Sequence, residues 1–162
     1  MRNHDGMKPS AIYGVCAAAW LIVLFFFSGQ TGVDSGELSS MVTEVLFGWL
    51  IDRGADFQTL HVLTRKLAHF GIFAVEGWLL GSALLRAMKS RLRASWATVL
   101  VCAAIAAFNE LHQIASEGRS CSVLDMLIDT CGAAAGLALA VVIWHAFSAF
   151  KRRKSPKYIT LQ

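Results

Sequence analysis

Charged residues are scarce in this chain. They make up 16% of the sequence, whereas about 25% is usual in a soluble domain. Hydrophobic residues account for 56%, above the usual value of about 45–50%. The composition therefore indicates a membrane protein rather than a soluble domain. The length of 162 residues is that of one compact domain, and we expect residues 1–162 to form it.

Several sequence motifs of metal sites and enzymes are also missing. The four cysteines form no CxxC pair, so neither a zinc site nor a redox pair is indicated, and no structural disulfide is expected. The chain has no His-Glu-x-x-His motif, no carboxylate-rich loop and no nucleophile elbow. We therefore predict no metal, no cofactor and no serine nucleophile.

Four apolar runs are long enough to cross a membrane as helices, which takes about 17–25 residues. They cover residues 11–27, 67–85, 94–115 and 121–147. The first run could also be a signal peptide, but Phe-Phe-Phe-Ser-Gly is a poor cleavage site. We therefore predict an all-α membrane protein with four transmembrane helices, the first of them retained.

The segment between the first two spans contains a further helical pattern. Asp34 and Glu37 have the spacing of a capping box. The apolar residues that follow recur at helical spacing, and they are Leu38, Met41, Val42, Val45, Leu46 and Trp49. This pattern predicts an amphipathic helix in the first outer loop. Such a helix either lies on the membrane surface or packs on top of the bundle.

The distribution of charge predicts the orientation of the spans. The N-terminus, the 86–93 loop and the C-terminal tail are basic, whereas the 28–64 loop is net acidic. Short basic loops stay in the cytoplasm. Both termini are therefore expected inside, with the 28–64 loop and the 116–120 connection on the outer face. Because the basic residues cluster beside apolar runs, we expect contact with membrane lipids and not with nucleic acid.

This orientation gathers many polar residues at the outer ends of three spans. They are Lys66, His69, Asn109, Glu110, His112, Gln113, Arg119, Asp125 and Asp129. Polar groups cost several kcal/mol each in hydrocarbon unless they are paired. The convergence therefore predicts a polar site at the outer membrane surface.

Different roles are expected for these residues. The cationic Lys66, His69 and Arg119 would hold an anionic ligand, and Glu110, Gln113 and Asp125 would orient them. Arg119 could instead bridge Glu110 and Asp125 and tie the hairpin of the last two spans together. The surrounding residues would support the site, and they are Glu76, Asn109, His112 and Asp129.

The sequence gives less support to two other roles of the polar residues. A metal could be bound by His69, Glu110, His112 and Asp125, but Glu110 and His112 are two residues apart and do not share a helix face. Glu76 lies near the middle of the second span, where a carboxylate is costly. It is either a neutral acid hydrogen-bonded to a neighbouring helix or the proton site of a small transporter.

Two GxxxG pairs occur in the spans. Gly77 and Gly81 lie in the second span, and Gly132 and Gly136 lie in the fourth. Small residues let transmembrane helices approach closely. We expect both pairs to pack within the bundle, with homodimerisation as the alternative.

Several of these motifs resemble those of the VanZ-like family of small bacterial membrane proteins. Arg65-Lys66-Leu-Ala-His69-Phe70 is similar to the family's Lys-x-x-His-Phe motif. Glu110-Leu-His-Gln113, followed by Gly118-Arg119-Ser120 and Asp125, resembles its Glu-x-x-Gln, Gly-Arg and Asp signature. The chain departs from the family pattern at Ile72 and Phe73, where Glu and Tyr are common, and at Asp129, where Asn is common.

The resemblance implies a multi-pass protein of the bacterial cell (inner) membrane. The family takes its name from an accessory protein of glycopeptide-resistance clusters, which implies a link to the cell envelope and to glycopeptide-antibiotic resistance. We expect the polar site to bind an anionic envelope lipid or a peptidoglycan-related headgroup. The alternatives are a membrane-embedded hydrolase or transferase on a lipid-linked substrate, with Glu110 or His69 as general acid or base, and a small proton-coupled transporter.

Overall fold

The protein is all-helical in the computed structural model, which describes the backbone of residues 7–154 and the side chains of residues 7–150. The helices in this range are α1 (Pro9–Ser28), α2 (Gly32–Ile51), α3 (Phe57–Ala87), α4 (Arg91–Gln113) and α5 (Val123–Lys154). The basic residues at the two ends of the chain, to which the predicted orientation refers, lie largely outside the described residues.

Four of the helices are long and apolar enough to cross a membrane. They are α1, α3, α4 and the part of α5 from Val123 to Phe150. This result confirms the predicted all-α fold with four candidate spans. The exposed apolar side chains support it, since large residues such as Ile22, Phe26 and Leu100 lie on the outside of the bundle. Water would not favour that surface, whereas lipid does.

α3 begins at Phe57, before the apolar run of residues 67–85 that the sequence predicts as the second span. The bounds of the span within this longer helix stay a prediction. The Asp56 carboxylate caps the helix by accepting hydrogen bonds from the Thr59 hydroxyl at 2.7 Å and the Thr59 amide at 2.8 Å. These bonds lower the pKa of Asp56 below its usual value. Hydropathy missed the first turns of α3 because residues 57–66 are too polar to read as part of a span.

The helix predicted in the first outer loop is present as α2, but its cap lies elsewhere. Thr31, and not Asp34, is the N-cap residue. The Thr31 hydroxyl accepts a hydrogen bond from the Asp34 amide at 3.1 Å and donates one to the Asp34 carboxylate at 2.8 Å. Asp34 therefore occupies the third helical position of a capping arrangement that begins one turn earlier than predicted.

The polar side of α2 packs against α3, and its apolar side faces outward. Thr43 is fully buried, and its hydroxyl lies 2.9 Å from that of Thr64 on α3. The apolar residues Met41, Val45 and Trp49 are exposed. The helix thus packs on the bundle, as one of the two predicted arrangements requires, and its apolar face is exposed. Its position on the membrane surface stays a prediction.

A glycine seam, defined by Gly77, Gly132 and Gly136, joins α3 to α5. A Cβ atom added to Gly136 would overlap the carbonyl oxygen of Ala74, and one added to Gly77 would overlap that of Ala133. Backbone therefore lies directly on backbone. The prediction that the GxxxG pairs pack within the bundle is confirmed. A homodimer would have to use another surface, and it stays a prediction.

Candidate functional site

The start of α3, the end of α4 and the start of α5 meet at one end of the bundle. Lys66 Nζ lies 3.2 Å from Asp125 Oδ1, and His69 Nδ1 lies 3.1 Å from Asp129 Oδ1. Lys66 and His69 are three residues apart and share a face of α3, while Asp125 and Asp129 are four apart and share a face of α5. The two contacts therefore form successive rungs between the same pair of helices.

Glu110, at the end of α4, lies next to the His69–Asp129 contact. Its side chain is fully buried. One carboxylate oxygen, Oε2, accepts a hydrogen bond of 2.7 Å from the Ser122 amide just before α5. The other oxygen, Oε1, is buried without a hydrogen-bond partner among the described residues. Glu110 therefore fixes the entry to α5 with one oxygen and leaves the other unsatisfied.

Three of these side chains form a compact cluster. One ring nitrogen of His69, one oxygen of Glu110 and one oxygen of Asp129 all lie within 4.8 Å of one another. Asp129 is fully buried, and its Oδ2 atom has no partner within the described part of the chain. Buried polar atoms are normally satisfied. This His69–Glu110–Asp129 cluster therefore has capacity for a further group.

Arg119 reaches across the site to the connection between α1 and α2. Its guanidinium lies 3.4 Å from the Ser28 carbonyl oxygen and 3.5 Å from that of Gln30. The alternative in which Arg119 bridges Glu110 and Asp125 was wrong. Burial, and then the like charge of Arg65, lower the pKa of Arg119 from its usual value. An arginine keeps its proton in proteins, so the group remains a partly buried cation.

Glycines allow this reach because they bring two backbones together. The Gly32 amide donates to the Glu117 carbonyl at 2.8 Å. A Cβ atom on Gly32 would lie 2.6 Å from the Gly118 carbonyl oxygen, and Gly118 itself has a φ of +75°. Only glycine adopts that conformation at little cost. We call this contact between residues 29–32 and residues 116–119 the corner.

Two cavities adjoin the cluster. A cavity of about 320 Å³ has mostly polar walls, including Arg65, Lys66 and Asp125. A second cavity of about 220 Å³ has mostly apolar walls, including Leu24 and Phe73. Four residues line both cavities, and they are Arg65, His69, Gln113 and Arg119. A polar compartment and an apolar one therefore meet at these side chains.

The structure brings most of the predicted ligand-binding residues together. Five of the six line the polar cavity, and they are Lys66, His69, Gln113, Arg119 and Asp125. Glu110 lines neither cavity but lies in the cluster with His69. Asn109 lines the apolar cavity, and Asp129 contacts His69 directly.

Two predicted supporting residues lie elsewhere. His112 packs edge-on against Phe25 of α1, with ring centroids 5.8 Å apart, and lines neither described cavity. It is also not in the His69–Glu110–Asp129 cluster. Glu76 is buried further along α3 and lines neither of these cavities. Its Oε2 atom has no partner among the described residues.

Sequence reasoning missed Arg65 and the corner. Arg65 lines both cavities, and its position next to Lys66 in a basic pair was the available signal. The carbonyl groups of Ser28 and Gln30 gave no signal, because backbone acceptors are present at every residue. Their role follows only from the way the connection after α1 lies beside Arg119.

A sequence model of the VanZ/LLP1 family matches residues 13–145, which include all the site residues described above. No curated protein and no solved structure matches the chain significantly.

Proposed function

This chain belongs to the VanZ/LLP1 family, and we propose that it binds an anionic envelope lipid, or the headgroup of a lipid-linked peptidoglycan precursor, in the bacterial cell membrane. The observation that supports this most is the junction of the two cavities. A lipid has a charged headgroup joined to apolar chains, and the chain offers a polar and an apolar cavity that share four lining residues. A small soluble anion would need only the first of these.

Three cations would hold the headgroup in the polar cavity. Arg65 forms no side-chain hydrogen bond or ion pair with any residue in the described range, so its guanidinium is free to bind. Arg119 contacts neutral carbonyl groups and forms no ion pair with any described residue. Lys66 is shared with Asp125. Planar guanidinium groups bind phosphate and carboxylate with two hydrogen bonds each, and such bonds are stronger than neutral ones.

The apolar cavity would take the start of a hydrocarbon chain. Its apolar walls include Leu24 and Phe27 on α1, Leu38 on α2 and Ile72 on α3. These residues belong to candidate membrane spans and to the lipid-facing helix α2. The hydrocarbon chain of a lipid could therefore pass from the bilayer into this cavity without contact with water.

We place this site at the outer surface of the membrane, with both termini in the cytoplasm. The charge distribution favours that orientation, since the connection containing α2 is net acidic and the 86–93 loop is basic. Tagging each terminus with a reporter that is active only in the cytoplasm tests the orientation.

The decisive experiment is to extract the protein in native-lipid particles and to identify bound lipids by mass spectrometry. We expect one class of anionic lipid to be enriched over bulk membrane. Arg65→Ala and Arg119→Ala should each reduce that enrichment about tenfold or more, because each removes charge-assisted hydrogen bonds. Arg93→Ala removes a cation from the opposite end of α4 and should leave it unchanged.

Bulk lipid composition in all four proteins would contradict the proposal. Equal loss in Arg93→Ala would also contradict it, because the enrichment would then reflect net charge alone. Arg65→Ala is the sharper variant of the two, since Arg119→Ala also removes contacts that support the corner.

One observation favours a second candidate function, an enzyme that acts on the same lipid. The ring of His69 is held by Asp129 at 3.1 Å, an arrangement that orients a histidine for proton transfer. If the protein is a hydrolase or transferase, Glu110→Gln should abolish turnover of the recovered lipid while binding persists. Unchanged turnover would exclude Glu110 from the chemistry. No such observation favours transport, because Glu76 lines neither cavity. A role in glycopeptide resistance stays a prediction.

A further inference from the structure

We propose that His69, Glu110 and Asp129 bind one divalent transition-metal cation, for which Zn²⁺ is the test ion. The inference goes beyond lipid binding and does not depend on it. It also departs from the absence of a metal that the sequence predicts, since the three residues come from three helices and share no sequence motif.

The separation of the three donor atoms is close to that of a metal site. In a tetrahedral site, bonds of about 2.0–2.2 Å place neighbouring ligand atoms about 3.3–3.6 Å apart. The nitrogen of His69 and the oxygens of Glu110 and Asp129 all lie within 4.8 Å of one another.

The second, independent observation is that buried carboxylate oxygens of the cluster lack hydrogen-bond partners. Glu110 and Asp129 are both fully buried, and each has one carboxylate oxygen with no hydrogen-bond partner in the described part of the chain. Lys66 is paired with Asp125, and Arg119 contacts backbone carbonyl groups. Neither of these cations therefore lies within ion-pair distance of the two carboxylates, and the His69 ring contacts only Oδ1 of Asp129.

Protonation of the carboxylates would explain the arrangement less well. Glu110 Oε2 accepts a hydrogen bond from the Ser122 amide, so a proton on Glu110 would sit on Oε1. In the observed side-chain positions, that O–H group has no acceptor within hydrogen-bond distance among the described residues. A divalent cation satisfies Oε1 of Glu110 and Oδ2 of Asp129 together and balances both charges.

The donor set indicates which metals suit the site. One imidazole nitrogen with two carboxylate oxygens fits Zn²⁺, Mn²⁺ or Fe²⁺, whereas Mg²⁺ and Ca²⁺ prefer oxygen ligands alone. Three protein ligands also leave a coordination position open. Because His69 lines both cavities, an anionic group bound there could supply the next ligand.

The test is to strip the purified full-length protein with a chelator, equilibrate it with Zn²⁺ and measure bound metal by mass spectrometry. We expect about one ion per chain in the wild type. Glu110→Gln and Asp129→Asn should lose at least about tenfold in affinity. Glu76→Gln is the matched control, since Glu76 is an equally buried carboxylate on α3 outside the cluster, and it should bind as the wild type does.

A second measurement covers the case in which the cluster variants fail to fold. The wild type is titrated with Co²⁺, whose visible absorption reports nitrogen and oxygen ligation, and Zn²⁺ should then displace it. No saturable Co²⁺ spectrum, or equal Zn²⁺ binding by wild type and Glu110→Gln, would overturn the proposal. Lipid content is measured on the same samples, so that loss of metal and loss of lipid are seen separately.

Discussion

α3 packs against α5 along one side and against α2 on another, and the two contacts are built from different residues. At the glycine seam, Gly77 and Gly136 leave no room for a Cβ atom. Between α2 and α3, Thr43 and Thr64 share a buried hydrogen bond, and other residues of the two helices, among them Ser39 and Ala68, line the apolar cavity. The first contact is between backbones with no space for a Cβ atom, whereas the second is polar and adjoins a cavity.

The α3–α5 contact therefore supports the site rigidly, whereas the α2–α3 contact can adjust. The seam fixes α3 relative to α5 and so sets the distances from Lys66 and His69 to Asp125 and Asp129. The α2 side has hydroxyl contacts and free volume, which a ligand can use. Close-packed backbones transmit strain and tolerate little change, whereas a polar contact beside a cavity can open at lower cost.

The largest expected effect is at the seam. Gly136→Ala places a methyl group on the Ala74 carbonyl and near the Trp78 amide, so α3 and α5 must separate. Because the clash is with backbone, we expect destabilisation of about 3 kcal/mol or more, at the upper end for overpacking. Unfolding in detergent measures it. Gly71→Ala is the control, since a Cβ atom there meets nothing within 4 Å. Equal stability of the two variants would contradict the rigid seam.

A smaller effect is expected at the corner. Gly32→Ala brings a Cβ atom within 2.6 Å of the Gly118 carbonyl oxygen. We expect a loss of about 1–3 kcal/mol, together with reduced lipid retention, because Arg119 would lose its carbonyl partners. Gly36→Ala, in the same helix with open space around it, should change neither. Wild-type lipid retention in Gly32→Ala would show that the corner does not shape the site.

The hydrogen bond between α2 and α3 should contribute about 1 kcal/mol. Thr43→Val keeps the side-chain volume but removes the hydroxyl group. Unfolding of Thr43→Val, Thr64→Val and the double variant forms a cycle that isolates the pair. We expect the double variant to be less destabilised than the sum of the two. Strict additivity would mean that the two hydroxyl groups do not interact.

The smallest effect on stability is expected for the partly exposed Lys66–Asp125 ion pair. Asp125→Asn should change stability by less than about 1 kcal/mol. It should nevertheless strengthen lipid binding several-fold, because Lys66 is released and a negative charge leaves the polar cavity. Mass spectrometry of bound lipid measures this, with Asp52→Asn in the exposed turn after α2 as the control. Weaker binding in Asp125→Asn would mean that the ion pair, and not Lys66 alone, positions the ligand.

Hydropathy and charge were sufficient to predict the spans and to bring Lys66, His69 and Gln113 to one end of the bundle. The glycine pairs were predicted to pack because their spacing places small residues on one helix face. Helix registers could not be predicted in the same way. The shift of α3 along α5 determines that His69 contacts Asp129 and that Lys66 contacts Asp125. The residue pattern of one helix does not reveal that shift.

The polar start of α3 and the role of Arg119 were also beyond sequence reasoning. Residues 57–66 look like a loop by hydropathy, but the Asp56 side chain caps a helix there and α2 packs against it. The partners of Arg119 are backbone oxygens, which residue types do not reveal. His112 looked like a site residue because it lies between Glu110 and Gln113, but it faces α1.

The length of α3 also indicates how far apart Arg86 and Lys66 lie across the membrane. Near its C-terminal end, the Arg86 guanidinium lies over the Tyr13 ring of α1, 4.4 Å from the centroid, a pairing typical of the level where headgroups begin. Counting back along the helix at about 1.5 Å per residue, Lys66 is about 30 Å away, which is the thickness of a bilayer's hydrocarbon core. A lipid could therefore present its headgroup to Lys66 at its normal depth, and the membrane would need no thinning to deliver it.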